Sequence, residues 1–163
     1  MNDGELSEYL ATVFLSRKTH QGYLFRTVLI AGKWPSIDIY AEIIGTNSPK
    51  NYCFIQVKST VLGYTAREKK LKVKIPKSKL NKLANFNGPS YLIGIDYIES
   101  NPFKSKAYIS AIRGTYSNGL SSMPTDNLLD ENNLVQLRDE VENFWNGTNT
   151  FNNKNNTASI FDL

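Results

Sequence analysis

Leu6, Tyr9, Leu10, Val13 and Phe14 fall at i, i+3, i+4, i+7 and i+8, the spacing that lines one face of an α-helix. A first helix is predicted from about Asp3 to Arg17, with Asp3 as N-cap and Glu5 in the first turn, where negative charge favours the helix dipole. Past Gly22 the period shortens. Tyr23 to Ala31 is rich in aromatic and β-branched residues, as a strand should be. Ser36 to Ile44 alternates, with Ile37, Ile39, Ala41 and Ile43 on one face and Asp38, Tyr40 and Glu42 on the other. Gly45, Asn47, Ser48 and Pro49 make Gly45 to Lys50 a turn by composition. The next strand, Asn51 to Ser59, opens with the run Tyr52, Cys53, Phe54, Ile55. That run is apolar on both faces and therefore belongs in the interior of a sheet.

Lys70 to Ile75 alternates strictly, with Lys70, Lys72 and Lys74 opposite Leu71, Val73 and Ile75, and reads as a further strand. Pro76 suits the start of a helix whose apolar face is Leu80, Leu83, Ala84 and Phe86, stopped by Gly88 and Pro89. Tyr91 to Ile95 and Lys106 to Ile112 are two more strands, joined by a turn around Asn101 and Pro102. Leu134, Leu137, Val141 and Phe144 or Trp145 share one face of a last helix, from about Leu134 to Trp145. Asn146 to Thr157 is almost entirely Asn, Thr, Gly and Lys and reads as a flexible tail, with residues 1–145 forming the domain and 146–163 the tail. Ile160, Phe161 and Leu163 at its end could dock back onto the domain or onto a partner. The expected fold is a mixed α/β (α+β) domain around one central sheet.

Composition narrows the chemistry. A chain of 163 residues is long enough to bury a core without disulfides or a structural metal, and the single Cys53 forbids an internal disulfide. No apolar run reaches the length of a membrane span, and the first residues carry neither a basic leader nor an apolar stretch. A cytoplasmic protein is expected, with no membrane partner. His20 is the only histidine, which excludes a multi-histidine zinc site; a surface turn is its expected place. No Gly-rich phosphate loop occurs, and Cys53 and most aromatic residues lie where core packing explains them.

Two signals remain. Gln56 and Lys58 are polar positions at the end of an apolar strand, where burial is costly unless a partner is present. If the strands around the Gly45 turn form a hairpin, counting outward from the turn brings Asp38 beside Gln56. The second signal is charge. Arg67, Lys69, Lys70, Lys72, Lys74, Lys77, Lys79 and Lys82 are eight of nineteen basic residues packed into sixteen positions, against one acid, Glu68. Strand alternation would space three of these lysines roughly 6 to 7 Å apart, a repeat that can track a phosphate backbone. The rival explanation is an edge strand guarded by lysines against aggregation.

Ser36-Ile37-Asp38 followed, eighteen positions after the Asp, by Gln56-Val57-Lys58 resembles the PD-(D/E)XK (restriction-endonuclease-like) nuclease signature. Its middle acid is replaced by Gln, as in the Mrr-like and Holliday-junction-resolvase-like branch. Gly4-Glu5-Leu6-Ser7-Glu8 at the head of an amphipathic helix is similar to the first helix of those domains, and to a bacterial family of unknown function in the same superfamily. The resemblance covers roughly residues 3 to 112. It implies a single restriction-endonuclease-like domain, a central mixed sheet flanked by helices, that hydrolyses DNA phosphodiesters with Mg²⁺ or Mn²⁺, as in phage defence or DNA repair. A homodimer and a component of a larger assembly are both compatible with it.

The site the resemblance implies is explicit. Asp38 would be the anionic ligand of the cation, Gln56 would offer its side-chain carbonyl and Val57 its backbone carbonyl, and Lys58 would orient water or neutralise charge on the phosphate. A glutamate of the first helix would complete the ligand shell. Family spacing points to Glu8, whereas the helical wheel puts Glu8 opposite the apolar stripe and Glu5 on its flank, so both are candidates. The amide at position 56 removes one negative charge, which weakens Mg²⁺ binding unless the helix glutamate compensates. The alternative is a catalytically inactive nucleic-acid-binding or protein-interaction module on the same fold. Taken singly, an Asp after Pro35 is an ordinary turn or edge residue and a Lys at a strand end snorkels to water.

Overall fold

The structure is a computed structural model and describes residues 3–30, 34, 36–45, 51–147 and 159–163. Helix α1 (Asp3–Leu15) is followed by a small hairpin of β1 (Lys18–Thr19) and β2 (Gly22–Tyr23), then β3 (Phe25–Leu29), β4 (Ile39–Ile43) and β5 (Tyr52–Thr60). Helix α2 (Lys77–Ala84), β6 (Ser90–Asp96), β7 (Lys106–Ala111) and helix α3 (Glu131–Asn146) complete the chain. Five strands form one mixed sheet in the order β3-β4-β5-β6-β7. β5 and β6 are parallel, and the other neighbouring pairs are antiparallel. The chain is thus a mixed α+β domain, and the apolar run of β5 does lie in the middle of the sheet.

Each face of the sheet carries its own core. Odd-numbered residues of β4, β5 and β6, among them Ile39, Ile55 and Ile93, pack under α1 and α3 through Leu10, Leu15 and Leu137. The opposite face carries Leu92 and Tyr108 and is covered by Leu80 and Leu83 of α2 and by Leu71, Val73, Ile75 and Met123. Among the described residues no helix is long and apolar enough to cross a membrane.

Several expected elements change shape. α1 stops at Leu15, short of Arg17; the side chain of Asp3, the expected N-cap, lies outside the described residues. The strand expected over Tyr23 to Ala31 is broken at Leu24, whose side chain is buried, so Tyr23 pairs back with Lys18 and only Phe25–Leu29 joins the sheet. Ala31 lies outside the described residues, as do residues 46–50 of the expected turn after Gly45.

Residues 70–75 are not a strand of the sheet. Their backbone bridges run to loop residues outside the sheet, Leu71 to Tyr64 and Met123 and Ile75 to Leu120, and they meet the sheet through their side chains. Their alternation still decides their burial, since Leu71, Val73 and Ile75 are all at most 2% exposed while Lys72 and Lys74 face water. Three buried aliphatic side chains contribute on the order of 5 to 8 kcal/mol, enough to hold an extended segment with few ladder bonds. Edge protection therefore loses its premise.

α3 begins three residues earlier than expected, because Asp130 caps it by accepting the Asn133 N–H at 2.9 Å. Asn146, expected to open the tail, is the last residue of α3. Residues 148–158 of the tail lie outside the described residues. Phe161 does dock: it is fully buried, its carbonyl accepts the Ala111 N–H, and Asp162 pairs with Arg113. Ile160 and Leu163 stay exposed.

Candidate functional site

The β4–β5 register pairs Ile39 with Ile55 and Tyr40 with Phe54, so the next rung toward the open end brings Asp38 opposite Gln56. The β4 ladder stops at Ile39, yet the Asp38 backbone is held on both sides. Its N–H donates to the Ile55 carbonyl at 2.9 Å and its carbonyl accepts the Ile30 N–H at 2.8 Å. Ser36, with φ at 87°, turns the chain into the strand through the left-handed region. Where the ladder has ended, the Val57 N–H donates instead to Asp38 Oδ2 at 2.7 Å. Gln56 Nε2 donates to the same Oδ2 and, at 3.2 Å, to the Val57 carbonyl. Gln56 is 2% exposed, and its Oε1 is buried without a hydrogen-bond partner.

Lys58 lies two residues along the same face of β5. Helix α1 sits on the other face of the sheet, but it presents half-buried Glu8 where β4 and β5 part, close enough to act on both Asp38 and Lys58. Burial raises the proton affinity of Glu8, the nearby Asp38 and Glu5 carboxylates raise it further, and Lys58 opposes them. Burial likewise raises the pKa of Asp38, against the Val57 N–H and the ammonium groups of Lys58 and Lys79. The pKa of Lys58 is lowered by burial and by Lys79, against the pull of Asp38 and Glu8. Two carboxylates and two ammonium groups thus share one patch.

Of the two candidate helix glutamates, Glu8 is the half-buried one and feels the charges of both Asp38 and Lys58, whereas Glu5 is exposed. Lys79 is the residue whose place the sequence did not disclose. A parallel crossover runs its helix back against the strands, which sets the first turn of α2 beside the outgoing end of β5, and Lys79 is in that turn. A Pro-started helix between two strands was the available signal.

The remaining basic residues spread outward. Arg67, Lys69, Lys72, Lys74, Lys77 and Lys82 are exposed, whereas Lys70 is held by Glu68 at 2.6 Å. Of the eight, Lys79 is the one that acts on Asp38 and Lys58. His20 is in an exposed turn, with its ring and backbone N–H on Glu131, and Cys53 is buried, its thiol pushed up by desolvation. A cavity of about 470 Å³ on the α3 side is lined by Tyr91, Arg113, Glu140 and Ser159. Its polar groups serve each other: Tyr91 and Ser159 donate to Glu140, and Arg113 pairs with Asp162.

No family model, curated protein or solved structure matches the chain.

Proposed function

We propose that the chain hydrolyses DNA phosphodiesters with a divalent cation, Mg²⁺ or Mn²⁺, where β4, β5 and α1 meet. The observation that supports this reading is the junction of Asp38 with Gln56 and Val57, with Lys58 and Glu8 at its margin. The donor set fits such an ion. Glu8 and Asp38 offer carboxylates, Val57 a backbone carbonyl and Gln56 a carboxamide oxygen, all of them hard oxygen ligands. Gln56 Oε1 is the buried oxygen that lacks a partner, and turning the amide over would aim it at the place where Nε2 now bridges Asp38 and Val57. A bound cation would supply Lewis acidity to the phosphate and lower the pKa of an attacking water.

The chain's own residues do the rest. Lys58 and Lys79 hold the phosphate and offset charge that develops on its oxygens. Glu8, at the margin of the site beside Asp38 and Lys58, offers a carboxylate oxygen that can accept a proton from water. The basic residues from Arg67 to Lys82 bind backbone phosphates without reading sequence. A role in phage defence or DNA repair, a homodimeric state and partner proteins of such a system belong to the same proposal.

Plasmid incubated with Mg²⁺, with Mn²⁺ and with EDTA tests it. Nicking that needs the cation and is lost in Asp38→Ala and Lys58→Ala is expected; cleavage surviving both substitutions assigns the activity elsewhere. One observation favours a second reading, a non-catalytic nucleic-acid-binding or interaction module. Among the described residues no three His, Cys, Asp or Glu side chains gather as a metal site. That reading expects DNA retention without cleavage and no effect of cations on melting.

A further inference from the structure

The face of β4 and β5 that carries Asp38 and Gln56 continues as a run of aromatic rings. The adjoining rung is the Tyr40–Phe54 pair and the one beyond it is Glu42–Tyr52. Tyr40, Tyr52 and Phe54 are mutually in contact, with centroids 5.2 to 6.3 Å apart. Phe86, just past α2, extends the run at 5.2 Å from Phe54, and Trp34 stacks on Phe86 with its plane tilted only 21°.

These rings border the core without being enclosed by it: Phe54 and Phe86 pack at the edge of the α2-side core, and Tyr52 rests on Trp145 at 4.6 Å. Tyr40, Tyr52, Phe54 and Phe86 are only partly buried and Trp34 is 58% exposed, whereas Phe25, Tyr91 and Phe161 on the other face are at most 2% exposed. The charges around the rings are asymmetric. Lys58 and Lys79 stand on the Asp38 side and Lys82 is exposed on α2, while Glu42 closes the far end.

We propose that this run is a stacking platform for unpaired nucleotides, so that the polynucleotide entering the Asp38 site is single-stranded over the stretch it lays there. The proposal rests on the phosphodiester reading of that site and names its substrate class. Aromatic faces beside ammonium groups suit a polyanion with flat rings. A duplex offers them little, because its bases are already stacked on each other and extruding one costs a few kcal/mol. An unpaired base has both faces free, and stacking tolerates any sequence. Trp34 is the outermost ring and the first a base would meet.

The test uses the full chain in EDTA, so that nothing turns over. A short oligothymidylate should quench tryptophan fluorescence in the wild type, and Trp34→Phe should remove most of the quench, leaving only the share of Trp145 beneath Tyr52, while keeping most of the affinity. Trp34→Ala should weaken oligothymidylate binding by about fivefold or more, measured by anisotropy of a labelled strand, and barely change binding of a duplex of equal length. An oligouridylate arm names the sugar: Trp34-dependent binding of either strand supports the platform. Absence of quenching, or single-strand affinity unchanged in Trp34→Ala, overturns it.

The two readings fail separately. If Trp34→Ala binds normally while Mg²⁺-dependent cleavage still needs Asp38, the platform alone is wrong. If Trp34-dependent binding stands but no substrate is cut with any cation, the catalytic reading is wrong.

Discussion

The carboxamide nitrogen of Gln56 donates to the carboxylate of Asp38 on the neighbouring strand and, at 3.2 Å, to the carbonyl of Val57. One nitrogen therefore occupies two of the oxygens that a cation at this place would use. It also relieves the partly buried Asp38 carboxylate of part of its desolvation cost. The metal-free protein is stabilised by the same contact that competes with the ion.

A first prediction concerns that contact. Gln56→Glu replaces the donor by a second carboxyl group against Asp38 at a position only 2% exposed. The metal-free protein should lose about 2 to 3 kcal/mol at neutral pH. Mg²⁺ should return more stability to the variant than it adds to the wild type, because the ion binds the folded state and meets one more negative charge. Thermal melts in EDTA and in Mg²⁺ measure both effects. Identical melting of the two proteins in both conditions would detach Gln56 from any cation site.

Glu8 gives a dependence on pH. Its pKa in the folded chain lies above the ordinary value of 4.5, first through burial and then through Asp38. Between the two pKa values the native state binds more protons than the unfolded one, so stability falls as pH rises through that window. Glu8→Gln should therefore stabilise the metal-free protein at neutral pH, by less than about 1 kcal/mol because the group is half-exposed and water screens it. The gain should vanish once pH drops below 4.5. Urea denaturation across this range checks the sign, and a gain that grows on acidification would refute it.

Gly94 pairs with Lys58 in the parallel register, and Leu71 and Met123 close over it. A Cβ there would clash with the Met123 sulfur and come within 2.9 Å of Leu71 Cδ2. Gly94→Ala should cost about 1 to 3 kcal/mol through overpacking and push residues 70–75 outward beside the site. Chemical denaturation reports the first effect, and hydrogen exchange at Leu71 and Met123 the second. A neutral substitution would mean that this segment docks more loosely than its burial indicates.

The lysines divide by partner. Lys72→Gln with Lys74→Gln should flatten the salt dependence of DNA binding by roughly 0.7 to 0.9 in log–log slope for each phosphate left without its lysine. Lys70→Gln should change it less, because Glu68 already holds that ammonium at 2.6 Å. Titrations at several salt concentrations separate the two. An unchanged slope for the double variant would leave these lysines a role in solubility alone.

What the chain alone disclosed is what depends on short-range periods and turn chemistry. The period of two in the strand before Gly45 and in the segment after Lys69, and the doubly apolar run Tyr52 to Ile55, are set within a few residues, and they anticipated the Asp38–Gln56 rung and the lysines facing water. Even the failed strand over residues 70–75 kept its alternation, since burial of every second side chain needs a surface to pack on but no ladder.

Tertiary packing decided the rest. Whether Glu5 or Glu8 faces Asp38 depends on how α1 is rotated on the sheet. Lys79 reaches Lys58 because a parallel crossover returns α2 beside β5. Tyr52 and Phe54 look like core residues along the chain, and they are half-open because α2 covers one part of that sheet face and leaves another bare. Helix rotation, crossover path and the extent of a covering layer are sums of contacts between residues far apart in sequence, and no local pattern encodes such sums.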